Sequence, residues 1–444
     1  MSNGEQDDGP FHTQLDIRTW QNSLAVKAHG AEAVRRSFLA GFVPGTGLPI
    51  FDPPPPEEAW DTVVADGSSF PRLSLEFWTS RQRQAANLHE ISYRACYKPQ
   101  LPRHFIERLT RPGERVYDPF SGRGTTAIEA ALLGRRVAAN DVNPLSRMLA
   151  EPRLTPPEPA SVLKRLEEIP RFGTSDGLDL AMFFHPETEA EIRGLRDWFR
   201  DRQAAGALDA LDTWIRMVAT NRLTGHSPGF FSVYTLPPNQ ALTAEKQRQI
   251  NTQRGQEPAY RDTHALILKK TKQLLAGLEP SQWRNLSTAA RDACFLTADA
   301  RETPALGSGS VALTVTSPPF LDVVDYTGDN WLRCWFTGLD AEAIGQGIST
   351  PRTVTDWSAT MGAVFSELHR LTRQGGFVAF EVGEIRRGRI KLDEVVLPLG
   401  LRAGFKAHGV LVNSQTFTKT AHIWGVGNND KGTNSNRVVL FEKG

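Results

Sequence analysis

One stretch restricts the possible folds of this 444-residue chain more than any other: residues 116–126, Val-Tyr-Asp-Pro-Phe-Ser-Gly-Arg-Gly-Thr-Thr. Val116 and Tyr117 read as the end of a buried strand, 118–124 as a tight glycine-bearing turn, and 125–133 (TTAIEAALL) as a helix with a Ser/Thr-type cap and an apolar face. Gly134 stops that helix, and 136–141 (RVAAND) reads as a second strand ending in the carboxylate of Asp141. Strand, glycine turn, helix and acid-tipped strand form the first half of a nucleotide-type site. Gly122 and Gly124 let backbone approach a ligand, and Asp141 can accept from ribose hydroxyls. An ordinary βαβ turn is the plainer alternative.

The chain has no Gly-x-x-x-x-Gly-Lys-Ser/Thr, which argues against a phosphate-cradling loop, and Thr125 follows Gly124 where the dinucleotide fingerprint continues toward a third glycine. Asp118, just before the turn, suits a cationic amino acid group better than a pyrophosphate. That favours S-adenosyl-L-methionine, which carries an ammonium, a sulfonium and a ribose but no phosphate. DPFSGRGTT at 118–126 resembles the cofactor motif of the DNA amino-methyltransferases, Asp-Pro-Phe-x-Gly-x-Gly-Thr-Thr. The resemblance implies a cofactor site made of Asp118, Pro119, Phe120, Gly122, Gly124, Thr125 and Asp141. A looser likeness upstream is carried by His89, Tyr97-Lys98-Pro99 and Pro102, before a helix expected at 101–110. In that family such a segment closes over the methionine end of the cofactor, which implies Lys98 near its carboxylate. Gln100 departs from the family, where an aromatic is frequent.

Composition sets outer limits. With 40% hydrophobic residues the chain can bury a large core, and its length suggests two or three structural units. No apolar run has the length of a membrane span, and the first residues lack a signal pattern; a cytoplasmic protein, prokaryotic or phage-encoded and nucleoid-associated, is the expectation. Cys96, Cys294 and Cys334 are scattered, which suggests a reducing compartment and no metal cluster. A net charge of +1 means that any phosphate-binding face must come from local clustering.

Residues 1–75 read as an N-terminal extension without chemistry, with an amphipathic helical stretch at 31–42 and a stiff spacer at Pro53–Pro56. Residues 76–150 read as the first half of a catalytic domain and 291–444 as its second half. Between them, 151–290 opens with a proline-rich linker and continues with helical periodicity at 189–199, 208–218 and 264–278. Inside this insertion, Phe230 and Tyr234 beside glycine and proline, then Lys246 and Arg248, could grip a distorted DNA strand. A loop anchored by buried aromatics, with a solvated basic helix after it, is the alternative.

The α/β pattern resumes at 293–299, a short strand ending in Asp299, which in a doubly wound sheet faces the adenine or ribose. Residues 311–316 form a buried strand that runs into Ser317-Pro318-Pro319-Phe320. Consecutive prolines hold that turn extended and point the serine in a fixed direction. To attack a sulfonium methyl, the nitrogen of a base amine must free its ring-delocalised lone pair. The Ser317 hydroxyl and the Pro318 carbonyl could draw it toward tetrahedral geometry, while Phe320 stacks on a base flipped from the duplex. A basic loop with Arg386, Arg387 and Arg389 follows the strand at 377–383, and β-type stretches at 409–418 and 436–442 suit a closing antiparallel hairpin. The fold expected is therefore α/β: a Rossmann-like, doubly wound, mostly parallel methyltransferase sheet plus a mainly helical insertion. None of the cysteines follows a proline, which disfavours C5-cytosine chemistry. Resemblance to the amino-methyltransferases implies double-stranded DNA as substrate, cytosine N4 as target because serine opens the tetrapeptide, and a cognate restriction endonuclease as a partner. Adenine N6 methylation, RNA guanine N2 methylation and a non-catalytic nucleic-acid-binding protein on the same fold stay open.

Overall fold

The computed structural model describes residues 56–75, 85–93, 96–235, 242–319, 326–348, 351, 353–385, 389–414 and 435–444. The stretch 31–42, Pro53 to Pro55, Phe320, Arg386 and Arg387 lie outside them.

The strands are β1 Trp60–Ala65, β2 Ser68–Leu75, β3 Arg115–Asp118, β4 Arg136–Asn140, β5 Cys294–Leu296, β6 Val311–Thr316, β7 Thr372–Val382, β8 Glu384–Ile385, β9 Ile390–Lys391, β10 Phe405–Ser414 and β11 Ser435–Lys443. Nine of them make one sheet in the order β1-β2-β10-β11-β7-β6-β3-β4-β5; β8 and β9 form a separate ribbon. The run β7-β6-β3-β4-β5 is parallel, and β11 lies antiparallel between β7 and β10. This is the doubly wound, mostly parallel sheet with a terminal antiparallel hairpin expected from the sequence. All six residues of β6 are buried, as required of a central strand covered on both faces. From β3 the chain builds outward to β4 and β5; from β6 it builds the other way to β7. The reversal falls between β3 and β6, and the carboxyl ends of those two strands are where such sheets open a ligand crevice.

Two boundaries drawn from sequence move. Residues 60–75, read as part of an extension, are an antiparallel hairpin whose second strand pairs in parallel with β10, placing Val410 opposite Arg72. Buried Arg72 pins it there, donating to Asp61 at 2.6 Å and reaching Glu394 at 3.2 Å on the helix Leu392–Arg402. The helices of 151–290 share one hydrophobic core with the sheet: Leu166, Phe183, Trp214 and Ile267 pack in the same cluster as Phe105, Ile128 and Leu313. The insertion is thus a layer of the same fold. The opposite face is covered by the helices Val354–Leu371 and Leu392–Arg402, where Phe365 stacks on Phe380 with ring centroids 4.7 Å apart.

Candidate active site

The turn after β3 is built by its glycines. Gly122 and Gly124 both adopt positive φ, +51° and +78°. A Cβ at Gly124 would lie 2.5 Å from the Cβ of Ala150, so the position admits only glycine without rearrangement. Gly124 itself caps the helix Thr125–Leu132 in the left-handed region, with no side-chain capping bond, which corrects the expected Ser/Thr cap. Thr125 is buried and accepts from the Arg123 guanidinium at 3.2 Å.

Asp141, just beyond β4, holds the turn in place: Gly122 N–H donates to one carboxylate oxygen at 2.8 Å and Asn143 N–H to the other at 2.9 Å. Asn140 adds a second staple, donating to the carbonyls of Pro119 (3.2 Å) and Ala298 (3.0 Å). Asp118, 1% exposed, accepts from Thr316 at 2.6 Å, Tyr97 at 2.8 Å and the Phe120 N–H at 3.1 Å. It therefore ties β3, β6 and the upstream segment together behind the cavity wall, and the sequence expectation that it touches the ligand's cation is corrected. Tyr97 also meets Thr126, whose hydroxyl donates to the Val315 carbonyl at 3.0 Å.

One cavity brings the two decisive turns together. Its wall includes Pro119, Phe120, Gly122 and Asp141 from the first and Ser317, Pro318 and Pro319 from the second. Asp299 is on the wall, but its carboxylate is held by Arg301 at 2.6 Å, which lowers its pKa. Lys98 is off the wall, in the turn that starts the helix Gln100–Leu109. Tyr93, Trp357, Met361 and Val364 supply rings and apolar surface that the sequence did not single out. Trp357 fixes the proline pair by donating to the Pro319 carbonyl at 3.0 Å. A tryptophan in a helix 38 residues downstream carries no local pattern that announces this role.

The electrostatics of this cavity test the donor set. Burial pushes Asp118 and Asp141 each up to about 6, and Asp118 further raises Asp141. No Lys or Arg pairs with either among the described residues, so the site holds negative potential in a poorly solvated place. A ligand with an ammonium or sulfonium supplies the missing charge; a phosphate ligand would worsen the repulsion. With its hydroxyl-accepting carboxylate and apolar rings, the cavity fits S-adenosyl-L-methionine. Among the described residues no group of three or more His, Cys, Asp or Glu could hold a metal, and no helix is long and apolar enough to cross a membrane.

The expected nucleic-acid contacts are placed less uniformly. Phe230 is 6% exposed with the Arg222 guanidinium 4.0 Å from its ring centre, so it is a packing residue and no free stacking surface, which corrects the sequence expectation. Tyr234 is half-buried under Arg254 at 3.9 Å. Arg248 is exposed and paired with Asp179 at 2.6 Å, while Lys246 and Arg389 are exposed.

Residues 55–146 match the family model described as DNA methylase. The Type II methyltransferase M.MvaI of Kocuria varians is 33% identical over 98 residues, covering 21% of each chain. Type II methyltransferase M.MjaII of Methanocaldococcus jannaschii is 30% identical over 76 residues, 17% of this chain and 14% of that one. The chain thus spans about a fifth or less of the length of the curated relatives it matches. Among solved structures, the rRNA methyltransferase AviRa of Streptomyces viridochromogenes aligns over 82% of this chain and 93% of that one, at 12% identity and a TM-score of 0.34. That likeness is too loose to bear on activity.

Proposed function

We propose, from the premise that residues 55–146 belong to the DNA amino-methyltransferase family, that the chain transfers a methyl group to the exocyclic amine of a flipped DNA base, most specifically cytosine N4. The observation that carries this reading is the shared cavity: the glycine turn with Asp141 on one wall and Ser317-Pro318-Pro319 on another. Bound there, S-adenosyl-L-methionine would supply an electrophilic methyl on a sulfonium.

Asp141 accepts from ribose hydroxyls with its remaining lone pairs, and the carboxylates of Asp141 and Asp118 favour the positive charge. Pro119, Phe120 and Gly122 present backbone to the ligand; Trp357, Met361 and Val364 enclose an aromatic ring system. Ser317 Oγ and the Pro318 carbonyl accept from the base amine and favour a pyramidal nitrogen. Since no covalent intermediate on the protein is needed, positioning provides most of the acceleration. Arg389, with Arg386 and Arg387, is the proposed phosphate-binding loop, and Tyr234, Lys246 and Arg248 the proposed contacts from the insertion. Lys98 is a proposed partner for the cofactor carboxylate.

The test is incubation with methyl-labelled S-adenosyl-L-methionine and separate DNA and RNA pools, followed by mass spectrometry of digested nucleosides. Label in N4-methylcytosine is the expected result. Label in N6-methyladenine moves the target base and keeps the mechanism. Label in RNA, or none, rejects the reading.

A further inference from the structure

β6 and β7 run parallel with Thr316 opposite Phe380, so the next residues, Ser317 and Glu381, stand side by side at the strand ends. Alternation along β7 puts Glu381 on the face of Phe377 and Ala379, within the same core as Val315. Glu381 is 3% exposed. It accepts from Asn436 Nδ2 of β11 at 2.7 Å, and the neighbouring Ser317 side chain offsets part of the effect of its burial. No Lys or Arg pairs with it among the described residues. Burial pushes it up to about 7. A central strand position of this kind is filled at lower cost by an apolar side chain, since a buried carboxylate without a cationic partner loses its hydration uncompensated. The placement of that cost, beside the first residue of the Ser-Pro-Pro turn across the parallel pair, has no packing rationale.

We infer, resting on the amino-methyltransferase reading, that Glu381 is a positioning residue for Ser317 and the final acceptor of the proton shed by the target amine. When ionised, Glu381 takes the Ser317 O–H, and both serine lone pairs face the cavity, where they accept from the amine. As the amine nitrogen forms its bond to the methyl carbon, the carbon–sulfur bond breaks and its electron pair stays on sulfur. The nitrogen is left positive and loses one N–H proton to Ser317 Oγ, while the serine proton passes to Glu381. The carboxyl then returns its proton to water, so charge and atoms balance over the cycle. When protonated, Glu381 donates to Ser317 and consumes the lone pair that the amine needs.

The groups around it leave this titration legible. Among the described residues, Tyr97 is raised in part by Glu381, and burial holds its phenol neutral. From β11 Asn436 faces it, whereas Arg437 is engaged with Glu384 at 2.7 Å and with Asp393. From β3 comes Asp118, already bonded to Thr316 and Tyr97. On the helix Gln100–Leu109, burial keeps His104 neutral.

The experiment is E381Q in the full chain, alongside wild type. The amide is isosteric and its oxygen still accepts from Asn436. Calorimetric affinity for S-adenosyl-L-methionine should change by less than about threefold, whereas kcat with both substrates saturating should fall on the order of 10²-fold with KM unaltered. Wild-type kcat should rise about tenfold per pH unit and flatten above about 7, and E381Q should lose that inflection. Independently of turnover, infrared difference spectra of the protein alone should show a buried carboxylic acid band in wild type that disappears as pH rises through about 7 and is missing in E381Q. The inference is overturned if E381Q keeps wild-type kcat and pH profile. It is equally overturned if the wild-type band titrates in the ordinary carboxyl range, a result that stands even should E381Q not fold. A wild type that methylates no nucleic acid rejects the parent reading as well; a methylating wild type matched by E381Q rejects only this step.

Discussion

Replacing Asp118 by Asn should make the protein more stable at pH 8 and less able to bind its cofactor. Burial lifts this carboxyl from its ordinary 3.8 to about 6. Below pH 3.8 the folded and unfolded states are both protonated and the aspartate costs nothing extra. Between 3.8 and 6 the folded state holds a proton that the unfolded state has released, so stability falls as pH rises. Above 6 the full penalty is present, about 3 kcal/mol. The Asn variant escapes it. Its amide oxygen can still accept from Thr316 and Phe120 N–H, and its amide nitrogen can face Tyr97, whose hydroxyl can turn to Thr126 or the Val315 carbonyl. With about 1 kcal/mol allowed for poorer hydrogen bonds, the net gain at pH 8 is about 2 kcal/mol. At pH 4.5 the wild-type penalty shrinks to about 1 kcal/mol, and the advantage vanishes. Urea unfolding of both proteins without cofactor, at pH 8 and pH 4.5, measures this directly, and calorimetry at pH 8 should show weaker S-adenosyl-L-methionine binding. A variant no more stable than wild type at pH 8, or a gain of equal size at both pH values, would refute the claim that unpaired negative charge is stored in this site.

Three further outcomes are expected. Ser317→Ala should lower turnover on the order of 10²-fold while cofactor affinity, measured by calorimetry, stays close to wild type; a large loss of affinity would reject its assigned role. Gly124→Ala combines a left-handed backbone with a Cβ only 2.5 Å from that of Ala150, and should cost about 2–4 kcal/mol in urea unfolding. Reversing charge at Arg386, Arg387 and Arg389 together should weaken DNA binding and reduce the slope of log affinity against log salt by about 2–3; an unchanged slope leaves the loop a solvated face.

Local rules were enough for much of this molecule. The period of apolar residues placed the helices Pro186–Ala204, Ala210–Arg222 and Thr263–Leu275, and continuous apolar runs marked β6 and β7, because backbone geometry imposes those periods on any segment that buries one face or two. Glycines at 122 and 124 announced a backbone conformation that few other residues adopt, and the proline pair at 318–319 announced a rigid turn. Boundaries were harder. The hairpin at 60–75 joins the main sheet through pairing with β10, some 340 residues later, and the insertion shares its core with strands on either side of it in sequence. Phe230 shows the same limit: an aromatic beside glycine looks the same whether it is stacked under Arg222 or free to meet a base.

What the amino-acid order determined alone is the pair of turns and the strands and helices that carry them, since each depends on residues within a few positions of one another. Only the tertiary structure decided that Asp118 sits behind the cavity wall, that Trp357 props the prolines, and that Glu381 lies against Ser317. Those relations arise from strand order and register across the sheet, where neighbours in space are tens to hundreds of residues apart along the chain, and desolvation, which raises the pKa of Asp118, Asp141 and Glu381, exists only once the layers have closed around them.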